Sequence, residues 1–104
     1  MNCHIDNSYP EYVYIEDNAS ITSECFIIAH SNPYSHFQNI TQARVSPIII
    51  KNGAWICIRS IILPGVTIGE NAIVSAGSVI ESDVPSGSVA AGNPARIVAK
   101  KITI

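Results

Sequence analysis

Residues 50–85 read IKNGAWICIRSIILPGVTIGENAIVSAGSVIESDVP. Cut into sixes from Ile50, the first places are Ile50, Ile56, Ile62, Ile68, Val74 and Ile80, and the fifth places are Ala54, Ser60, Val66, Ala72, Ser78 and Val84. A branched aliphatic followed four places later by a small residue is an internal repeat, and a repeat this short belongs to a solenoid or β-helix. A period of six does not track the 3.6-residue turn of an α-helix, and the run is rich in β-branched residues, Gly and Pro. Each block predicts a short strand and a corner. The first-place aliphatic fills the interior, and the fifth-place small residue sits where the chain bends and inward room is short. Three such sides close a triangular coil, with successive coils stacked about 4.8 Å apart.

Upstream the same frame gives first places at Cys3, Tyr9, Ile15, Ile21 and Ile27, with Val13, Ala19 and Cys25 at fifth places. It is ragged before Ile15 and regular from there to Ile27. It is then lost: the interval from Ile27 to Ile50 is not a multiple of six. Residues 30–47, HSNPYSHFQNITQARVSP, are polar, aromatic and turn-rich, so they read as a loop inserted into the scaffold. Long loops on regular scaffolds tend to carry function. Residues 86–104 form a C-terminal segment, broken at Gly92-Asn93-Pro94, whose Ile97, Val98, Ile102 and Ile104 suit a short terminal strand or cap. The predicted fold is all-β: a parallel β-helix of about three to four coils, residues 1–104 forming one domain. Such a short stack exposes strand edges and flat apolar faces, and a homo-oligomer covers them.

A formal charge of −2, with only 13% charged residues and no basic cluster, argues against nucleic acid and anionic membrane as partners. No apolar run approaches the length of a bilayer span. The first residues lack the basic and apolar regions of a secretory leader. The 3 cysteines show no metal-type CxxC spacing, so reduced thiols in a cytoplasmic protein are expected.

Three pieces carry a family resemblance. YPEYVYIEDNASITSECFIIAH, residues 9–30, is similar to PELIxIGDNVxI…ILTH. GAWICIRSIILPGVTIGENAIVSAGSVI, residues 53–80, is similar to WIGxGxxILPGVTIGxxAVIGAGSVV, and GNPARIV, residues 92–98, to GNPAKVI. The chain therefore resembles the hexapeptide-repeat acyltransferases, in the branch of galactoside, maltose and xenobiotic acetyltransferases, nearest to polysaccharide-biosynthesis O-acetyltransferases. The resemblance implies a left-handed coil, a homotrimer, and acetyl-CoA bound in a groove between subunits. It implies direct acetyl transfer to a hydroxyl of a saccharide or other small-molecule acceptor, without an acyl-enzyme.

By position in the motif, His30 is the implied general base, a role that contributes about 10²–10⁴-fold. Ala76 matches the small residue lining the pantetheine groove, and Arg96 the basic residue that meets nucleotide phosphates. Trp55, Ile58 and Ser82 fall at further cofactor-side positions. In the loop, Tyr34 and His36, with Phe37 and Gln38, are candidate acceptor contacts, since aromatic loops suit a sugar face. No metal is expected. Two readings from other classes stand beside this one. One is a non-catalytic trimer that binds a nucleotide or partner. The other is a zinc hydro-lyase resembling the γ-type carbonic anhydrases, which would draw on His4, His30 and His36.

Overall fold

The computed structural model describes residues 3–31, 35 and 43–100. Along these the strands are β1 (His4–Ile5), β2 (Val13–Ile15), β3 (Ser20–Ile21), β4 (Phe26–Ile27), β5 (His30–Ser31), β6 (Arg44–Val45), β7 (Ile48–Ile50), β8 (Trp55–Ile56), β9 (Ile61–Ile62), β10 (Thr67–Ile68), β11 (Ile73–Val74), β12 (Val79–Ile80), β13 (Val89–Gly92) and β14 (Ala95–Ala99). A 3₁₀ turn lies at Pro10–Tyr12. Among the described residues no helix is long and apolar enough to cross a membrane.

The strands make three parallel sheets that the chain visits in constant rotation. Their orders are β1-β4-β9-β12, β2-β7-β10, and β3-β8-β11-β13, with β14 added antiparallel at the end. Register gives the repeat its length. Ile68 lies beside Ile50, Val74 beside Ile56 and Ile80 beside Ile62, each three blocks back, as the six-residue frame predicts. The first-place residues Ile50, Ile56, Ile62, Ile68, Val74 and Ile80 are at most 1% exposed, as are the fifth-place Ala54, Ser60, Val66, Ala72 and Ser78. The interior is thus stacked ladders of one residue type on another, as befits parallel in-register strands buried within a prism.

The corners follow their own rule. A left-handed φ between 57° and 84° recurs at the fourth place of successive blocks, at Asn18, Glu24, Gly53, Arg59, Gly65, Asn71 and Gly77. Gly and Asn adopt this conformation most readily, while for other residues it costs about 1–2 kcal/mol. The two such residues here, Glu24 and Arg59, stack on the same corner and join at 3.1 Å.

Two details of the predicted frame are corrected. Ile5, not Cys3 or Tyr9, continues the inner ladder: it pairs with Ile27, and the interval between them is longer than three blocks. The excess forms the turn through Asp6–Tyr12, and Cys3 instead underlies Cys25, whose carbonyl accepts the His4 amide at 2.8 Å. At the other end Val84 bridges to Ile68, so it occupies a first place and not a fifth. The corner between Ile80 and Val84 is correspondingly short, and Ser88 and Ala90 then take the next buried places. The C-terminal segment is a hairpin, β13–β14, and Ile97 and Val98 lie in its terminal strand as expected, with both side chains exposed. Ile102 and Ile104 lie outside the described residues.

Candidate active site

The insertion leaves the scaffold between β4 and β7. Ile27 lies beside Ile62, and Ile15 beside Ile50, although each pair is nearly twice as far apart in sequence as an ordinary rung. The ladders therefore close over the insertion without losing register. At its base β5 and β6 pair antiparallel, His30 with Val45 and Ser31 with Arg44. Tyr34, His36, Phe37 and Gln38, the expected acceptor contacts, lie outside the described residues.

His30 is half-buried and sits on a carboxylate that the sequence reading missed. Its Nδ1 lies 2.5 Å from Asp6 Oδ2, and the Asp6 side chain is wholly buried. The same Oδ2 accepts the Ala29 amide at 2.9 Å, and Oδ1 accepts the amides of Ser8 and Tyr9, both at 2.9 Å. These bonds fold the excess chain after Ile5 into a turn that delivers the carboxylate beneath the ring. Burial pushes the Asp6 carboxyl up, but the His30 bond and the amides of Tyr9, Ala29 and Ser8 together outweigh it. The result is a pKa lowered from 3.8 to about 2. With Nδ1 held by an ionised carboxylate, the His30 proton sits on Nδ1. In the neutral ring of that tautomer, Nε2 is the nitrogen with a free lone pair. The ring packs against Tyr9 at 5.3 Å and, with Ser8, Tyr9, Ser31, Ala43, Arg44 and Val45, lines an open cavity of about 330 Å³.

The expected cofactor contacts fall elsewhere. Ile58 and Ala76 are both exposed and neighbour each other on one corner of the prism, where the Gly77 amide donates to the Ile58 carbonyl at 2.9 Å. Ser82 and Arg96 come together in a second cavity of about 200 Å³, which Glu81, Asp83 and Ile97 also line. Trp55 is 49% exposed on the face made by β8 and β11. None of these five residues lines the His30 cavity. Among the described residues no three His, Cys, Asp or Glu side chains converge as metal ligands. The His4 ring, one of the three that a zinc site would need, is stacked on Phe26 at 4.6 Å.

Residues 47–82 match the bacterial transferase hexapeptide model, which comprises six repeats. The chain belongs to the hexapeptide-repeat family. This hexapeptide-repeat protein is 38% identical over 87 residues to the galactoside O-acetyltransferase of Escherichia coli (strain K12), covering 83% of the chain and 43% of that relative. It is 35% identical over 96 residues to the YvoF protein of Bacillus subtilis (strain 168), covering 92% of the chain and 52% of that relative. The hexapeptide-repeat chain thus spans about half the length of these curated relatives. Among solved structures it resembles a galactoside acetyltransferase in complex with coenzyme A, with TM-score 0.84 and 34% identity over 96% of this chain and 50% of that one. It also resembles a maltose O-acetyltransferase from Clostridium difficile 630, with TM-score 0.73 and 28% identity over 96% of this chain and 64% of that one.

Proposed function

We propose that this chain is the β-helical part of an acetyl-CoA-dependent O-acetyltransferase that acetylates a hydroxyl of a saccharide or other small acceptor, with His30 as general base. The observation that carries the reading is the Asp6–His30 pair on the wall of the cavity at the insertion's base. A buried, ionised carboxylate fixes the ring and its tautomer, and it stabilises the imidazolium formed when Nε2 takes a proton from the acceptor hydroxyl. The acceptor oxygen attacks the thioester carbonyl, the C–O bond forms as the C–S bond breaks, and the proton held by His30 passes to the departing thiolate. Arg96 and Ser82 would meet the coenzyme's phosphates and Ile58, Ala76 and Trp55 its pantetheine arm. Coenzyme-bound relatives with this fold support the assignment.

A homotrimer with a left-handed coil is part of the same proposal. Among the described residues the His30 cavity and the Ser82–Arg96 cavity share no lining residue, which suits a site completed between neighbouring subunits. The exposed Tyr14, Phe26, Trp55 and Val98 offer apolar surface for such an interface. The location we propose is the cytoplasm, in keeping with the 3 free cysteines.

The test is thiol release from acetyl-CoA over a panel of hexoses, nucleotide sugars and chloramphenicol-like acceptors, with calorimetry of coenzyme binding. His30→Ala should bind acetyl-CoA like the parent and lose about 10²–10⁴-fold in turnover; equal turnover by the two proteins would sink the base assignment. A second reading, a non-catalytic trimer, draws support from Glu81 and Asp83, two carboxylates beside Arg96 where phosphates would lie. Failure of the parent protein to bind acetyl-CoA would favour it.

A further inference from the structure

We propose that the His30 cavity selects an acceptor bearing an anionic group, a carboxylate or a phosphate, near the hydroxyl it presents, and that Arg44 recognises that group. This deepens the reading of His30 as the base of an acyl transfer and rests on it. Arg44 stands on β6 beside Ser31 and lines the same cavity as His30. Its guanidinium is braced: Nη2 donates to the Pro64 carbonyl at 2.9 Å. The adjacent Gly65 leaves the room, since a Cβ there would lie 3.0 Å from Nη2.

Among the described residues no side-chain carboxylate neutralises that positive charge. All 8 Asp and Glu residues of the chain fall within the described residues. Among them Asp6 pairs with His30 and Glu24 with Arg59, and no side-chain carboxylate forms an ion pair with Arg44. The insertion from Ser31 to Arg44 contains neither Asp nor Glu. Asp6, the carboxylate beside the cavity, is wholly buried behind the His30 ring. Among the described lining residues Arg44 alone carries a permanent positive charge and none presents an exposed carboxylate, so an anionic group entering the cavity meets the guanidinium as its direct partner. A guanidinium is moreover shaped to meet carboxylate or phosphate oxygens in pairs, with bonds roughly twice as strong as those to neutral hydroxyls. One of its five N–H groups is spent on Pro64, and this anchoring reduces the freedom lost when a ligand binds.

The experiment compares thiol release with glucose and galactose, with their uronates, and with their 6-phosphates, using the parent chain, Arg44→Gln and Arg44→Lys. Alongside it, the His30 ring protons are titrated by NMR with the same uronates and phosphates without acetyl-CoA. Expected are a kcat/KM at least tenfold higher for an anionic acceptor than for its neutral parent, collapse of that ratio toward one in Arg44→Gln, and partial recovery in Arg44→Lys. The uronate and phosphate arms tell which anion is meant. A neutral preference in the parent, or an equal loss on both acceptor classes in Arg44→Gln, overturns the proposal. So does a rise confined to the KM for acetyl-CoA, which would assign Arg44 to the coenzyme. If no acceptor releases thiol, the acyl-transfer reading fails and the titration decides alone: saturable shifts lost in Arg44→Gln uphold the anion site, and their absence in the parent overturns it.

Discussion

Replacing Asp6 by Asn exchanges one oxygen for an amide nitrogen and should disable the site. The carboxylate accepts four hydrogen bonds, from the amides of Ser8, Tyr9 and Ala29 and from His30 Nδ1. An Asn can accept with one oxygen only. If that oxygen faces Ser8 and Tyr9, one buried amide, Ala29, is left without a partner. If it faces Ala29 and His30, two amides are orphaned. The first orientation wins on count, and an unmet buried donor costs roughly 1–3 kcal/mol. In that orientation the Asn Nδ2 points a proton at His30 Nδ1, so the ring must accept there and carry its proton on Nε2. A ring protonated on Nε2 cannot take a proton from the acceptor. Asp6→Asn should therefore lose about 10²–10⁴-fold in kcat, as much as His30→Ala, and the double variant should lose no more. A penalty of about 2 kcal/mol lowers Tm by roughly 10 °C in a chain of this size. The assays are thiol release, thermal unfolding and ¹⁵N NMR of the ring tautomer. A folded Asp6→Asn protein with parental turnover and its proton still on Nδ1 would refute the reasoning.

Further outcomes are expected. Because the folded-state pKa of Asp6 is lowered to about 2, its contribution to stability is complete above about pH 4. That contribution is lost as pH falls from there toward 2, so the stability gap between parent and Asp6→Asn should narrow over that window in chemical unfolding. Gly69→Ala drives a Cβ to within 2.4 Å of the Ser86 amide nitrogen and 2.7 Å of its Cα, and backbone cannot swing aside. It should cost about 1–3 kcal/mol in thermal unfolding. Gly77→Ala meets nothing within 4 Å and bears only its left-handed φ of 72°, for about 1–2 kcal/mol. Ile56→Ala removes a rung packed in the central ladder and should cost about 2–5 kcal/mol. Burial, followed by the neighbouring Cys25, pushes the Cys57 thiol up. Its alkylation by iodoacetamide at about pH 7.5 should be slower than that of an unfolded-chain cysteine.

What could be read from the sequence was whatever the ladders write into it. Ile50 through Ile80 announce the rungs because an in-register stack repeats the same buried environment at every third block. The shifts at Asp6–Tyr12 and before Val84 were illegible because they occur in corners, where no apolar residue marks the place. The corner signal was there to be found, in Asn18, Gly53, Gly65, Asn71 and Gly77 at one place in the frame. His30 was singled out as the candidate base through motif position. Asp6 was not, since a carboxylate so far upstream announces no partner by spacing. Its hint was local: Asp-Asn-Ser-Tyr-Pro is a run suited to an aspartate folding back on its own amides, as it does. Ile58, Ala76, Ser82, Arg96 and Trp55 were assigned by motif position, and the periodicity of the repeat does not say which of them act together.

The insertion between β4 and β7 leaves through one corner and returns to the same stack, in register. Closing such an excursion costs little more as it lengthens, about 0.6 kcal/mol for each doubling. Scaffold and insertion can therefore be inherited separately. The prism can stay fixed while the excursion is lengthened, shortened or exchanged, and a lineage built this way can vary the surroundings of His30 without re-solving how it folds.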